Sequence, residues 1–223
     1  LDETSPLEDR VLELDGTGDY VAMPFNGRFA LQSWTIEAWV YPTADGSSTI
    51  VRREAGNDAN YELGIALDGA DLLPYVSFSP RNGSSDVELK AASADAIDLN
   101  VWTHLAVVFD ADADELQLYI NGVLEASATT PREGVMDGSD TWAMRVGEAF
   151  TGYLDEVRIW DEPLTGADIV DSYMALLSGT ETGLVAYLRF DDGTSSNLVT
   201  DFTYRQDWLA NWENAGVLQG DAA

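Results

Sequence analysis

Apolar and polar residues alternate at period two through most of this chain, broken every few positions by glycine, aspartate or asparagine, and no other feature limits its folds as much. Successive residues of a strand point to opposite faces, so each stretch has one side to bury and one to leave in water. The pattern predicts strands at 11–14, 20–23, 34–41, 49–53, 61–67, 75–79, 87–91, 102–109, 116–120, 123–126, 142–146, 152–160 and 183–190. So many short segments imply two large packed sheets, an all-β antiparallel sandwich.

Local signals sharpen this reading. In Leu118-Tyr-Ile-Asn-Gly-Val-Leu124, Asn121-Gly122 suits the two positive φ values of a type I′ hairpin turn. Asp110-Ala-Asp-Ala-Asp-Glu115 alternates carboxylates like the opening of an EF-hand loop, but it lacks the glycine and the closing glutamate and joins two strands, so it reads as a solvated hairpin turn. One helix is predicted. Thr165 caps it, Asp168 completes a capping box, Ile169, Val170, Tyr173, Leu176 and Leu177 form its apolar stripe, and Gly179 ends it. No linker or low-complexity stretch divides the chain, which predicts one domain over 1–223, with a core at about 10–190 and a closing segment at 183–223.

Charge narrows the partners. Lys+Arg number 11 against Asp+Glu 40, a net charge of −29, and Lys90 is the only lysine. Nucleic acids and anionic membrane surfaces need clustered cations, so the charge excludes most nucleic-acid roles and disfavours an anionic membrane surface. The apolar run Leu105–Phe109 is far too short to insert in a membrane. With no cysteine there is no disulfide, thiolate zinc site or cysteine nucleophile. The acidity fits a saline habitat, carboxylates gathered around Ca²⁺, or both. Leu1 stands first and no signal segment follows, which predicts a module excised from a longer chain.

Five segments, taken in order, carry a resemblance: Leu14-Asp-Gly-Thr-Gly-Asp-Tyr-Val21, Trp34-Thr-Ile-Glu-Ala-Trp-Val-Tyr-Pro42, Trp102-Thr-His-Leu-Ala-Val-Val-Phe-Asp110, Leu118 to Leu124, and Gly152-Tyr-Leu-Asp-Glu-Val-Arg-Ile-Trp160. They resemble the laminin-G-like and pentraxin-like jelly-roll modules of the concanavalin A-like superfamily, which place a short helix where this one follows Trp160. Gly183-Leu-Val-Ala-Tyr-Leu-Arg-Phe-Asp-Asp-Gly193 looks like the strand that closes such a module or introduces the next in a tandem array. The resemblance implies a two-sheet jelly roll, an oxygen-ligand Ca²⁺ site, and carbohydrate or protein binding at the sandwich rim.

Within that frame Asp15, Asp19 and Asp155 are the expected metal ligands, carboxylates from two distant segments joined by turn carbonyls. The alternative is that Asp15 closes an Asx turn and Asp155 is a solvated strand residue. The loop Glu54-Ala-Gly-Asn-Asp-Ala-Asn60 falls where pentraxins carry part of a ligand-binding calcium site, and offers Asn57, Asp58 and Asn60; of the later acidic cluster only Glu148 remains. Tyr204, Trp208 and Trp212 recur every four residues, either as a platform for stacking sugar rings or as a stripe that packs the C-terminal segment. His104 reads as a structural histidine. No Gly-x-Ser-x-Gly or Glu-x-Asp-x-Glu run occurs, and the adjacent Asp155 and Glu156 of a strand point to opposite faces. The expected function is therefore a secreted or cell-surface, calcium-stabilised, non-catalytic module that binds carbohydrate or another extracellular ligand within a larger adhesin or polysaccharide-acting protein. A structural spacer or protein-contact module in a tandem array is the alternative. A glycoside hydrolase requires an acid pair assembled by long-range folding. The ligand and the oligomeric state are left open.

Overall fold

The alternating stretches form strands because each supplies a row of β-branched, aromatic or leucine side chains to one face. A computed structural model describes residues 10–23, 27–55, 58–79, 87–130, 143–192, 198–203 and 216–220. In chain order the strands are β1 (Leu12–Asp15), β2 (Tyr20–Met23), β3 (Trp34–Pro42), β4 (Ser48–Ala55), β5 (Asp58–Asp68), β6 (Asp71–Phe78), β7 (Val87–Lys90), β8 (Thr103–Asp110), β9 (Glu115–Ile120), β10 (Val123–Thr129), β11 (Ala143–Val146) and β12 (Thr151–Trp160). Helix α1 (Gly166–Ser172) follows, then β13 (Leu184–Leu188), β14 (Leu198–Val199) and β15 (Gly216–Gln219).

Sheet A runs β1-β12-β3-β8-β9-β10, with β13 paired to the second half of β12; sheet B runs β14-β15-β2-β11-β4-β5-β6-β7. All pairs are antiparallel, and β1 with β12 and β2 with β11 join opposite ends of the chain, as in a jelly roll. The two inner faces share one apolar core, in which Trp34, Ile36 and Val107 of sheet A meet Tyr61, Leu63 and Val76 of sheet B. Each such side chain, fully buried, contributes roughly 1.5–3 kcal/mol.

The hairpin turn forms as expected: Ile120 pairs with Val123, and Asn121 and Gly122 take φ of +50° and +78°. Asp110 closes the next turn with its own carboxylate, which accepts from the amides of Asp112 (2.8 Å) and Ala113 (3.1 Å). The capping box is present too, with Thr165 N donating to Asp168 Oδ2 (2.9 Å) and Asp168 N to Thr165 Oγ1 (3.2 Å).

Two expectations are corrected. The helix stops at Ser172 rather than near Gly179, leaving Val170 and Leu176 exposed while Ile169 is buried. The chain leaves the helix there because sheet A takes the carbonyls that would have continued it, as described below. The closing segment also carries two strands that no alternation announced; β15 pairs with β2 and extends sheet B.

Candidate functional site

The two outer faces of the sandwich differ. On sheet A the outer face is closed by the stretch from residue 161 to 182. Thr35 Oγ1 donates to Glu162 O (2.9 Å) and accepts from Leu164 N (2.9 Å), and Trp39 Nε1 donates to Tyr173 O (3.0 Å). Arg158 donates to Ser172 O (2.9 Å) and Ala175 O (2.7 Å). Beneath this cover lies a buried polar cluster. Glu156 Oε2 accepts from Arg158 Nη2 (2.5 Å) and from the Tyr187 hydroxyl (2.6 Å), and Glu37 Oε2 accepts from Trp160 Nε1 (2.8 Å). Asp155 pairs with Trp39 and Arg158 with Glu37, so a bulge in β12, with Glu156 at φ +52°, puts two residues three apart on one side, and Glu156 bonds to Arg158 there. The strict alternation expected for Asp155 and Glu156 thus fails at this point.

The same burial sets protonation. Burial first, then the Arg158 guanidinium, holds the His104 pKa at about 3 against an ordinary 6.5. Burial raises the Glu37 carboxyl above its ordinary value, with Arg158 and the Trp160 hydrogen bond pulling it back. His104 Nε2 stands 3.6 Å from Glu37 Oε1, with the Trp39 and Tyr173 rings against the imidazole. The unfolded histidine takes a proton below pH 6.5 and the folded one only near 3, so its stabilising contribution is whole above 6.5 and is lost as pH falls through that window. The slope is about 1.4 kcal/mol per pH unit. Glu37 acts in the opposite sense, because its folded form binds a proton first. His104→Gln removes only the imidazole, so from about pH 7 to about pH 5 the wild type is expected to lose about 2 kcal/mol more than the variant in urea titrations. Equal losses would show that the folded imidazole is already protonated.

Sheet B carries a partly exposed charged row on its outer face, with the Arg145 and Arg52 side chains 35% and 25% exposed and those of Glu62 and Glu54 largely buried beside them. One rung crosses it: Ser77 pairs with Glu62, Glu62 with Arg52, Arg52 with Arg145, and Arg145 with Ala22. Strand alternation puts these side chains outward, since their neighbours Val51, Leu63, Met144 and Val76 fill the core. Glu54 bridges the two arginines, Oε1 to Arg145 Nε at 2.8 Å and Oε2 to Arg52 Nε at 3.0 Å. Arg145 Nη1 also meets Glu148, and its guanidinium lies 4.8 Å from the Tyr20 ring centre. Glu62 Oε1 accepts from Thr49 Oγ1 (2.9 Å) and from the Tyr75 hydroxyl. Burial and then the bond to Glu62 raise the Tyr75 phenol pKa, so Tyr75 stays a donor to that carboxylate. Tyr75 faces Gly64 on β5, and a Cβ there would stand 2.6 Å from the end of its ring. Glycine therefore lets the phenol lean across the neighbouring strand and present itself as a flat apolar surface beside charged groups.

The residues expected as ligands are dispersed. Asp15 and Asp19 meet in one turn, where Asp19 Oδ2 accepts from Asp15 N (3.1 Å) and Asp15 Oδ1 from Thr17 N (2.6 Å), the Asx-turn alternative. Asp15 pairs with Thr151, which leaves Asp155 four residues further along β12, roughly 13 Å away along the strand. Asp155 is fully buried and its Oδ1 accepts from Glu156 N (2.8 Å), so it is not a solvated residue either. These three carboxylates do not fit a shared Ca²⁺, and among the described residues no group of three His, Cys, Asp or Glu side chains could hold a metal.

Asn60 is not a loop ligand. It is buried in β5, accepting from Arg53 Nη1 (2.8 Å) and donating to Ser79 O (3.3 Å), because a register shift in the β4–β5 pairing turns the start of β5 inward. Asn57, the side chain of Asp58, Tyr204, Trp208 and Trp212 lie outside the described residues. Sequence reasoning missed Arg52, Glu54, Glu62, Tyr75 and Arg145. The available signal was the polar member of each alternating pair, together with two of only 11 basic residues falling on separate strands of an acidic chain.

Comparison with known proteins adds to this geometry. The profile of a laminin-G family, described as part of the concanavalin A-like lectin/glucanases superfamily, matches residues 15–170. A candidate carbohydrate-binding protein of Bacteroides ovatus superposes with a TM-score of 0.72 at 19% identity, over 96% of this chain and 58% of its own. This chain thus spans little more than half of that protein's length. The heptameric pentraxin of Limulus polyphemus superposes with a TM-score of 0.55 at 12% identity, over 92% and 96% of the two chains. The CBM40 domain of the Ruminococcus gnavus IT-sialidase, bound to α2,3-sialyllactose, gives 0.57 at 15% identity, over 75% and 97%. At these identities the likeness is one of fold.

Proposed function

The chain belongs to the concanavalin A-like lectin/glucanase superfamily, and from that premise we propose that it is a non-catalytic carbohydrate-binding module whose ligand lies on the outer face of sheet B. The observation that carries this reading is the joint placement of Tyr75, Glu62, Arg52, Glu54 and Arg145 on one partly exposed sheet face. A saccharide offers an apolar ring face and a rim of hydroxyls, each at once donor and acceptor. A tilted phenol beside alternating carboxylates and guanidiniums answers both features. Rigid strands hold these groups, so little ordering entropy opposes binding. Two of the neighbouring folds point the same way, one being described as a candidate carbohydrate-binding protein and the other holding sialyllactose.

The non-catalytic reading rests on how the described carboxylates are engaged. The buried carboxylates of sheet A, Glu37 and Glu156, sit under the helix segment with their hydrogen-bond partners, and those of sheet B are held by arginines and hydroxyls. On this reading we propose that the chain acts outside the cell, as part of a larger protein that it anchors to glycan.

A glycan array followed by calorimetry tests the proposal. Tyr75→Ala is expected to weaken the best saccharide at least about tenfold while shifting stability by about 1 kcal/mol or less. Glu162→Gln, on the opposite side of the sandwich, is expected to bind as wild type. A flat array, or equal loss from both substitutions, would sink the assignment of this face.

A further inference from the structure

We infer that the saccharide taken by the sheet B face is not an acidic one, and that Glu54 is the residue that turns acidic glycans away; this inference rests on the carbohydrate-binding reading above. Arginines on a partly exposed lectin-like face suggest an anionic sugar at first sight. Here both are already matched. The single Glu54 carboxylate spans them, one oxygen to each Nε, and its side chain is only 9% exposed. Glu148 holds a second nitrogen of Arg145, and Glu62 Oε2 stands 3.6 Å from Arg52 Nε. Three carboxylates thus face two guanidiniums.

A ligand carboxylate or sulfate would have to displace Glu54 from Arg52 and Arg145. That exchanges one anion for another and leaves a largely buried glutamate without its partners, so nothing is gained to offset the desolvation. Farther out, the net charge of −29 repels a polyanion before contact. A neutral sugar meets neither obstacle. Its hydroxyls donate to the free lone pairs of Glu62 and Glu54, accept from the outward N–H groups of the arginines, and let the ring rest on Tyr75. A cationic amino sugar is not turned away by this arrangement, since three carboxylates face two guanidiniums and the net charge is −29.

The test compares the wild-type chain against matched sets of neutral oligosaccharides, their uronate, sialylated or sulfated counterparts, and amino-sugar oligomers, at low salt and at about 1 M NaCl. Neutral oligosaccharides are expected to bind, with an affinity that changes by less than about twofold across that range. Preferred binding of the acidic set, weakened by salt, would overturn the ligand class and leave the carbohydrate-binding reading intact. Failure of every set would overturn both. Glu54→Gln is expected to free the two guanidiniums and raise binding of the acidic set at least about tenfold over wild type at low salt. A folded Glu54→Gln chain with no such gain would overturn the role given to Glu54, and the wild-type comparison decides the ligand class whatever the variant's stability.

Discussion

Arg158→Met is expected to cost about 3–5 kcal/mol of unfolding free energy, read by urea or guanidinium denaturation near neutral pH. Arg158 is 1% exposed and serves three acceptors on two segments: Glu156 at 2.5 Å on its own strand, and Ser172 O at 2.9 Å and Ala175 O at 2.7 Å in the cover. Methionine fills much of the volume but answers none of them. It would leave the buried Glu156 carboxyl without its guanidinium, with the Tyr187 hydroxyl still donating to it and its backbone at positive φ. Arg158→Lys is expected to rescue only part of the loss, because an ammonium on a single stem cannot reach carbonyls and carboxylate in the fork geometry of a guanidinium. The double variant Glu156→Gln/Arg158→Met is expected to be more stable than Arg158→Met alone, since the orphaned charge is gone. A loss below about 1 kcal/mol for Arg158→Met would mean that the cluster is wet and the helix segment loosely held.

The second large effect concerns the seam between the sheets. Trp34→Ala is expected to cost about 3–5 kcal/mol, because the hole it leaves is walled by both sheets and cannot collapse without moving one of them. Trp34 is fully buried on β3, with its ring centre 5.1 Å from that of Tyr61, 5.9 Å from Phe78 and 5.9 Å from Phe109. Tyr61 and Phe78 belong to sheet B and Phe109 to sheet A, so this one side chain joins aromatic rows from both layers. Equilibrium denaturation together with near-ultraviolet dichroism checks the point. Trp34→Phe should retain most of the stability, and a near-neutral Trp34→Ala would show that the sheets slide together over the gap.

Much of the fold was legible because its rules are local. The Asn121-Gly122 turn and the Thr165/Asp168 capping box each need only residues a few positions apart, and both form as read. Strand positions followed from period-two alternation for the same reason. The helix length was misjudged because Ile169 to Leu177 kept an apolar spacing that sheet A overruled, with Arg158 and Trp39 drawing the carbonyls of residues 172 to 175 out of the helical path. β14 and β15 are short and pair at an edge, where alternation leaves little trace.

The candidate site was far less legible. Asp15 and Asp19 stand near in sequence and meet, whereas Asp155, placed with them on resemblance, is carried away by the register of β1 on β12 and into the cover of sheet A. Asn60 looked like a loop ligand until a register shift turned it into the partner of Arg53. Arg52, Glu62, Tyr75 and Arg145 come from strands separated by up to ninety-odd residues in the numbering, and no motif links them. By itself, then, the sequence determined the class of fold, its turns, its caps and which face of each strand is apolar, because these depend on φ preferences and side-chain spacing within a few residues. Which strands lie side by side, and so which outward side chains share a face, was decided only by the packing of the whole chain. Antiparallel pairing brings distant residues within hydrogen-bond reach, and a shift of one or two residues in that pairing builds a site or disperses it.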